Sequence, residues 1–344
     1  MQHKPNRPIF VVGSPRSGTS ILTWCLGHHP NVFPVPESNW MGDFAVNVAV
    51  AYQIGASRGE YSILSAMDLG TDELFAAFGR TINELILKHR SHLESKRAAK
   101  CVELKLDRSW LDASSSAAGR KERWVDGTPE YSFHICGLRK LFPQALFVHL
   151  LRDVRAVIRS MVNFHRVAGF QLVANEEDAY RYWFRTVSAC LTAERAYGPS
   201  VVHRIRYADL IENAESTMRS LLDFLGEPYT ARCLEPLAER INSSGVPPDF
   251  RSENPAINSP IMEEACRLST ELEEGTPPTV GSPAVANELE AAFRERVKYV
   301  AALDDAYQEA RRAIETLPRS GPSLCPATEA TGSSSLPSKL KHTG

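Results

Sequence analysis

The sequence predicts an α/β fold, with a mainly parallel sheet flanked by helices. A strand, a glycine-containing loop and a helix follow one another within residues 9–27. Later short apolar runs are separated by helical stretches of about ten or more residues, the spacing typical of parallel strands joined by crossover helices. The chain has 344 residues, of which 43% are hydrophobic and 23% charged, so it can bury a sizeable core.

The elements before residue 100 are predicted from apolar spacing. Residues 9–12 form an apolar run that ends at Gly13, and a run so short and β-branched favours a buried parallel strand. Helical character returns over residues 19–26, after the turn. A further helix is predicted over residues 71–94, since apolar residues recur there at helical spacing: Leu74, Phe75, Phe78, Ile82, Leu85 and Ile86.

The middle of the chain repeats this alternation. Strands are predicted at residues 124–125, 145–151 and 201–205. Helices are predicted at residues 133–141, 154–164, 180–196 and 217–225, and Gly226 stands in the C-cap position of the last one. These elements complete a core that extends from residue 7 to about residue 240.

The last third of the chain changes in composition. Prolines, glycines and serines accumulate over residues 242–283, which predicts a long surface loop. Residues 284–316 carry an amphipathic helical stripe and complete a single domain over residues 1–316. Residues 318–344 contain no aromatic residue and many serines, prolines and glycines, a composition that predicts a disordered tail.

Composition argues against several classes of function. Lys and Arg total 39 against 41 Asp and Glu, and the net charge of −2 gives no reason to expect a nucleic-acid partner. Seven scattered cysteines, without a C-x-x-C pair or zinc spacing, predict neither a metal site nor a disulfide framework. The sequence shows no signal-peptide pattern and no run of about 20 apolar residues, so we expect a cytoplasmic protein without an integral membrane segment.

The loop after the first strand has the composition of an anion-binding site. It reads Gly13-Ser14-Pro15-Arg16-Ser17-Gly18-Thr19-Ser20. Thr19 stands where a Walker loop has its lysine, while Arg16 supplies a cation and the hydroxyls and backbone N–H groups supply donors. This set suits one 5′-phosphate with a transferable group attached, bound without a metal. The alternative is a tight turn with Arg16 in a surface ion pair.

This loop resembles that of the sulfotransferases that use 3′-phosphoadenosine 5′-phosphosulfate, in the branch whose loop reads Pro-Arg-Ser-Gly-Thr. Residues 147–160 are similar to the family's 3′-phosphate motif, in which an arginine ends a core strand and a serine follows in the next helix. The arginine is Arg152 and the serine Ser160. The alternative is that Arg152 forms an ion pair at the end of the strand and that the Ser160 hydroxyl is solvated on the helix surface.

The resemblance implies a P-loop NTPase-like sulfotransferase fold and a set of residues that bind the donor. The loop is implied to bind the 5′-phosphosulfate and the later motif the 3′-phosphate, through Pro15, Arg16, Ser17, Gly18, Thr19, Ser20, Arg152 and Ser160. Residues 206–210 and 221–226 are similar to the family's Tyr-Glu-Asp-Leu and Phe-Leu-Gly segments. Tyr207 is therefore implied as a nucleotide contact; an aromatic residue that caps the core after a strand is the alternative.

Glu37 is the candidate general base. Its position after His-Pro, shortly after the loop's helix, resembles that of the glutamate used as base by members that act on carbohydrates and tyrosines. Flanking prolines would stiffen its segment, and burial beside Trp40 would raise its pKa. The alternative is an exposed loop carboxylate.

The chain departs from the family pattern at residues 124–131. Relatives often read Lys-Thr-Pro or Lys-Ser-Pro there, and their lysine helps to neutralise the bridging oxygen, but this chain has Gly127. Stabilisation of the leaving group then falls on Arg16, or on another residue such as Lys105. Asp126 and Glu130 either line the acceptor site or are simply exposed.

The sequence thus predicts a sulfotransferase that moves the sulfuryl group of 3′-phosphoadenosine 5′-phosphosulfate to a hydroxyl of a carbohydrate, glycolipid or small metabolite. Glu37 and Arg16 are the expected catalytic residues. Two alternatives stay open. A P-loop phosphotransferase would use magnesium and ATP, and the missing Walker lysine opposes it. A nucleotide-binding protein without transferase activity is compatible with Gly127.

Overall fold

The structure is a computed structural model that describes residues 7–103, 121–238 and 259–316. The strands in these segments are β1 (Ile9–Val12), β2 (Val32–Pro34), β3 (Arg123–Asp126), β4 (Leu146–Leu151) and β5 (Val202–Arg206). They form one sheet in the order β2-β3-β1-β4-β5, and all neighbouring pairs are parallel. The predicted α/β fold with a mainly parallel sheet is confirmed.

Helices surround the sheet. Those before β3 are α1 (Thr19–Gly27), α2 (Met41–Ala56), α3 (Ile63–Ala66), α4 (Thr71–Lys88) and α5 (Arg90–Glu103). Those between β3 and β5 are α6 (Ile135–Leu141), α7 (Val154–Val162), α8 (His165–Ala168) and α9 (Glu176–Tyr197). After β5 come α10 (Tyr207–Glu212), α11 (Ala214–Leu225), α12 (Glu235–Ala238), α13 (Pro260–Glu274) and α14 (Pro283–Thr316). Short 3₁₀ turns lie at Gly59–Tyr61, Pro129–Phe133 and Ala231–Leu234.

The central strand β1 brings the ends of its neighbours together. It pairs with β3 on one side and β4 on the other, in a register that places Phe10 opposite Phe147 and Val12 opposite His149. All residues of β1 are buried, as expected of a strand covered on both faces. The loops after β1, β3 and β4 therefore leave the sheet at the same edge, where open α/β sheets bind ligands.

Side chains of the strands alternate between two cores, one on each face of the sheet. Phe10 and Val12 belong to one core, together with residues of α2, α4, α6 and α9. Ile9 and Val11 belong to the other, together with residues of α1 and α11. A third cluster joins α7, α9 and α13. Helices on both faces thus hold the strand ends in place.

The structure contains elements that the sequence analysis did not predict. β2 is very short and ends at Pro34, and α2 consists largely of small residues and valines, so neither has a strong periodic signal. The single helix expected over residues 71–94 is divided at His89 into α4 and α5. The C-cap expected at Gly226 is confirmed, because its backbone is left-handed with φ of 73°.

The surface loop expected over residues 242–283 is partly wrong. Residues Pro260–Glu274 of this range form α13, with Pro260 in the first turn. Ala265 is fully buried in the cluster that α13 shares with α7 and α9. The prolines and serines around this helix hide its amphipathic spacing in the sequence.

The chain divides into two units. The first ends at Ala301 and the second begins at Ala302, within α14. Residues 239–258 lie outside the described residues, and so does the tail expected at residues 318–344. None of the helices in the described segments has the length and apolar composition that crossing a membrane requires.

A buried ionic network lies between α9 and the last two strands. Glu194 is 2.5 Å from Nδ1 of His149 and accepts further hydrogen bonds from the Arg204 guanidinium. Burial alone would lower the pKa of His149, but Cys190 and Glu194 outweigh it and raise this pKa to about 10. Burial would raise the pKa of Glu194, but His149 and Arg204 lower it to about 2. His149 and Glu194 are therefore both charged near neutral pH.

Replacing Glu194 with Gln is expected to lower the free energy of unfolding by about 3–5 kcal/mol, because a buried imidazolium and a buried guanidinium lose their counter-charge. Urea denaturation followed by circular dichroism measures this loss. The matched control is Glu177→Gln, which removes an exposed ion pair with Arg181 on the same helix. This control is expected to cost less than about 1 kcal/mol. Similar losses in the two variants would contradict the assignment.

The pH dependence of this stabilisation follows from the two pKa shifts. The raised pKa of His149 stabilises the fold below its ordinary value of 6.5, and this contribution is lost as the pH rises through about 10. The lowered pKa of Glu194 stabilises the fold above its ordinary value of 4.5, and this contribution is lost as the pH falls through about 2. The difference in Tm between wild type and Glu194→Gln should therefore be greatest between pH 4.5 and 6.5.

Candidate active site

The loop between β1 and α1 contains three residues with positive φ. Gly13, Arg16 and Gly18 have φ of 150°, 69° and 106°. A Cβ on Gly13 would meet the carbonyl oxygen of Leu150 at 2.5 Å, so the loop lies directly against the end of β4. The hydroxyl of Ser132 accepts the N–H of Gly13 at 3.0 Å and fixes the start of the loop.

No side chain caps the start of α1. Gly18 is its N-cap and has no side chain to cap the first N–H groups of the helix. The hydroxyl of Ser17 is buried and has no hydrogen-bond partner among the described residues. Pro15 and Thr19 are buried as well, whereas Ser20 is exposed. A buried hydroxyl without a partner fits an oxygen of a phosphate or sulfuryl group.

The side chain of Arg16 extends from the loop to α7. Its Nε donates a hydrogen bond of 3.1 Å to the hydroxyl of Ser160, which is buried on α7. Its guanidinium carbon lies 4.6 Å from the centroid of the Phe164 ring, within the range of a cation–π contact. The arginine expected at the 5′-phosphosulfate and the serine expected at the 3′-phosphate are therefore in direct contact.

Arg152 follows β4 and reaches the same loop. Its Nη1 donates a hydrogen bond of 3.1 Å to the carbonyl oxygen of Arg16, and its guanidinium carbon lies 4.3 Å from the centroid of the Tyr207 ring. Tyr207 also packs against Gly18, where a Cβ would come within 2.7 Å of the ring. The loop, the strand-end arginine and the tyrosine thus form one contact group.

Arg16 and Arg152 bring two positive charges to one place. The pKa of Arg16 is lowered, first by burial and then by the charge of Arg152. The two guanidinium groups and the buried hydroxyls of Ser17 and Ser160 are donors of the kind that bind phosphate. These residues therefore fit the phosphate groups of the donor that the sequence resemblance implies.

Glu37 lies between β2 and α2 and contacts the loop. Its Oε1 accepts a hydrogen bond of 3.3 Å from the hydroxyl of Ser20. Glu37 is exposed to solvent, yet the surrounding protein removes part of the hydration of its carboxylate, and this desolvation is the main cause of a raised pKa. The charges of Glu130 and Asp126 raise the pKa further. The hydrogen bond from Ser20 and the charge of Arg16 oppose the shift.

The two acidic residues near Gly127 have different surroundings. Asp126, at the end of β3, is fully buried and accepts hydrogen bonds from Ser38 and Thr128, so it does not line an open acceptor site. Glu130 is half-buried and accepts a hydrogen bond of 2.8 Å from the Tyr182 hydroxyl. Glu130 is therefore partly accessible to solvent, whereas Asp126 is not.

Gly127 occupies a closely packed position. A Cβ on this residue would lie 2.2 Å from Oγ1 of Thr23 and 3.4 Å from the carbonyl oxygen of Thr19. A lysine here is therefore incompatible with the present position of Thr23, whose own hydroxyl is buried and lacks a partner within the described part of the chain. Lys105, the other cation considered for the leaving group, lies outside the described residues.

The structure brings the selected residues together at one edge of the sheet and adds others. Three contact residues could not be recognised from the sequence. Ser132 contacts the loop at Gly13, Phe164 contacts Arg16, and Ser38 contacts Asp126. Isolated serine and phenylalanine residues carry no motif, so their roles depend on contacts that only the folded chain makes. For Ser38 the one signal available was its place next to Glu37.

Comparison with known proteins identifies relatives of the chain. The sequence profile of the sulfotransferase family matches residues 8–231. An uncharacterized protein of Aquifex aeolicus is 27% identical over 238 residues, which cover 68% of this chain and 27% of that protein. Protein-tyrosine sulfotransferase 1 of Danio rerio is 25% identical over 227 residues, which cover 64% of this chain and 53% of that protein. The chain thus spans about a quarter and about half of the lengths of these two relatives.

A further relative and a solved structure also match. Omega-hydroxy-beta-dihydromenaquinone-9 sulfotransferase of Mycobacterium bovis is 29% identical over 138 residues, which cover 35% of this chain and 34% of that protein. The sulfotransferase domain of the Synechococcus PCC 7002 olefin synthase matches with a TM-score of 0.42 and 19% identity, covering 86% of this chain and 97% of that chain. The family profile covers more than half of this chain, including the loop, Arg152, Ser160 and Tyr207, and the chain therefore belongs to the sulfotransferase family.

Proposed function

We propose that this protein transfers a sulfuryl group from 3′-phosphoadenosine 5′-phosphosulfate to a hydroxyl group, with Glu37 as the general base. The observation that carries the proposal is the hydrogen bond of 3.3 Å between Ser20 and Glu37, which joins the candidate base to the anion-binding loop. Membership of the sulfotransferase family supports the reaction class. The acceptor we propose is a carbohydrate, a glycolipid or a small hydroxylated metabolite.

Two groups of residues are proposed to bind the donor. Residues 15–20 and the first N–H groups of α1 bind its 5′-phosphosulfate, and Arg152 and Ser160 bind its 3′-phosphate. Tyr207, which stacks with Arg152, contacts the nucleotide. When bound, the donor supplies an activated sulfuryl group attached to a phosphate that can leave. The contact between Arg16 and Ser160 supports one continuous site for both ends of the donor.

Glu37 and Arg16 have complementary chemical roles in this proposal. Glu37 accepts the proton of the acceptor hydroxyl, so its carboxylate must be ionised beforehand. The acceptor oxygen forms its bond to sulfur while the bond between sulfur and the phosphate oxygen breaks. Arg16 stabilises the negative charge that remains on the phosphate. The raised pKa of Glu37, caused mainly by desolvation, makes this carboxylate a stronger base than a glutamate with the ordinary pKa.

The names of two relatives widen the range of acceptors to be tested. One relative is named a protein-tyrosine sulfotransferase and another an omega-hydroxy-beta-dihydromenaquinone-9 sulfotransferase. Acceptors for this chain are therefore sought among tyrosine peptides and long-chain alcohols as well as sugars, glycolipids and small metabolites.

Transfer of ³⁵S from labelled donor to this panel tests the proposal. We expect label on at least one hydroxylated acceptor, transfer that persists in EDTA, and no magnesium-dependent turnover of ATP. Tight binding of adenosine 3′,5′-bisphosphate without transfer to any acceptor would support a nucleotide-binding protein instead. This alternative arises because Gly127 stands where relatives have a lysine that stabilises the leaving group. Turnover of ATP with magnesium would support a phosphotransferase.

A further inference from the structure

The segment that carries Glu37 is tied to the end of β3 by two neighbouring hydrogen bonds. The N–H of Ser38 donates to Oγ1 of Thr128 at 2.9 Å, and the Ser38 hydroxyl donates to Oδ2 of Asp126 at 2.6 Å. Thr128 in turn donates its N–H at 2.9 Å and its hydroxyl at 2.6 Å to Oδ1 of Asp126. The carboxylate of Asp126 thus holds Ser38 both directly and through Thr128.

Tyr131 completes this network on the side of α2. Its hydroxyl lies 2.5 Å from the Ser38 hydroxyl and accepts the N–H of Met41 at 3.0 Å. The Ser38 hydroxyl has one proton, which it donates to Asp126, so the Tyr131 hydroxyl is the donor in its contact with Ser38. The hydrogen bonds of this network thus all end at the Asp126 carboxylate, which can only accept hydrogen bonds when it is ionised.

The burial of Asp126 is not explained by its local turn alone. Its side chain is fully buried, and this burial raises its pKa, while the hydrogen bonds from Ser38 and Thr128 oppose the shift. A carboxylate that only shaped the turn after β3 would need its bonds to Thr128 and nothing more. The bond to Ser38 joins positions 88 residues apart and fixes the neighbour of Glu37.

The rest of the Glu37 segment is fixed as well. The N–H of Val35 donates to the carbonyl oxygen of Val125 at 2.9 Å, which continues the pairing of β2 with β3 towards Glu37. Asn39 has φ of 53°, a left-handed conformation that a residue other than glycine adopts where its surroundings hold it. Glu37 therefore lies between two anchored positions, and Asp126 supplies the second anchor.

We infer that Asp126 is a positioning residue: through Ser38 and Thr128 it holds the Glu37 carboxylate against the anion-binding loop. The inference rests on the proposed function, in which Glu37 is the base. Displacement of a reacting group by about 1 Å can cost about 10²-fold in rate, so an anchor of this kind has a measurable effect. Asp126 also acts on Glu37 through its charge, which raises the pKa of Glu37 together with Glu130 and against Arg16.

The test compares Asp126→Asn with Ser38→Ala in the 344-residue chain. The probe reaction is hydrolysis of labelled donor by water, which needs no acceptor, followed by transfer to the best acceptor of the panel. Both variants are expected to lower kcat about 10- to 100-fold, with the Kd of adenosine 3′,5′-bisphosphate changed less than about threefold. Ser38→Thr keeps the hydroxyl and is expected to restore most of the rate.

The pH profile separates a positioning role from a purely structural one. Asp126→Asn removes a negative charge that raises the pKa of Glu37, so the acid limb of its pH–rate profile is expected to move to lower pH. Ser38→Ala leaves that charge in place, and its acid limb is expected to stay where the wild-type limb lies. Equal profiles for wild type and Asp126→Asn would count against the inference.

A double variant separates this inference from the proposed function. In the Glu37→Gln background, Asp126→Asn is expected to add no further loss, since its effect passes through Glu37. Wild-type rates in Glu37→Gln would show that the proposed base is wrong, and the inference would fall with it. Inactive Glu37→Gln beside fully active Ser38→Ala and Asp126→Asn would overturn the inference alone. Should Asp126→Asn fail to fold, the rates of Ser38→Ala and Ser38→Thr decide.

Discussion

Glu37→Gln is expected to lower kcat about 10²–10⁴-fold, the usual contribution of a positioned proton acceptor. Glutamine keeps the shape of the side chain and can still accept the hydrogen bond from Ser20. Donor affinity should therefore stay close to the wild-type value while turnover falls. Turnover under saturating donor and the Kd of adenosine 3′,5′-bisphosphate, both measured on the two proteins, test this separation.

The wild-type rate is also expected to depend on pH. The pKa of Glu37 is raised by burial and then by Glu130, so the rate should fall as the pH is lowered through this raised pKa. The matched control is Glu130→Gln, which removes a neighbouring carboxylate and should move the acid limb to lower pH. Near-wild-type turnover in Glu37→Gln would reject Glu37 as base, and equal losses of turnover and donor affinity would indicate a structural role.

Arg152→Ala is expected to remove most of the discrimination between adenosine 3′,5′-bisphosphate and AMP. In the wild type the 3′-phosphate should contribute about 2–3 kcal/mol, or about 30- to 150-fold in Kd, because a ligand without it leaves a partly buried guanidinium without an anion. Arg152 donates to the loop and stacks on Tyr207, so it is held ready for this contact. Calorimetric titration of both nucleotides against both proteins measures the difference.

The control for this prediction is Arg159→Ala. Arg159 is an exposed arginine next to Ser160 on α7, so its removal changes the net charge equally but leaves the two-arginine site intact. Discrimination should persist in this variant. Equal wild-type affinities for the two nucleotides would contradict the assignment of a 3′-phosphate site.

Local patterns predicted much of the sheet and the loop. The run that forms β1, the glycines at positions 13 and 18 and the helical start at Thr19 are adjacent in sequence, so composition alone indicated a strand, a loop and a helix. The distance between Arg152 and Ser160 is likewise set by one strand end and one helix. Features that depend on a single strand–turn–helix unit can be predicted from spacing.

Contacts between distant segments could not be predicted in this way. The bond from Ser38 to Asp126 and the contact of Arg16 with Phe164 join segments that no motif connects. The helix α2 was missed because Gly42 and its neighbouring small residues give little periodicity, yet that glycine is required where the helix meets the His134 ring at close range. Tertiary packing, and not local propensity, decides these positions.

The close packing of Gly127 against Thr23 constrains how this sequence can change. A lysine at position 127 needs space that the Thr23 hydroxyl fills, since the two atoms would be 2.2 Å apart. A lysine at position 127 therefore requires the Thr23 side chain to rotate or to be replaced by a smaller one. The effect of a substitution at position 127 thus depends on the residue at position 23, so the two positions are coupled.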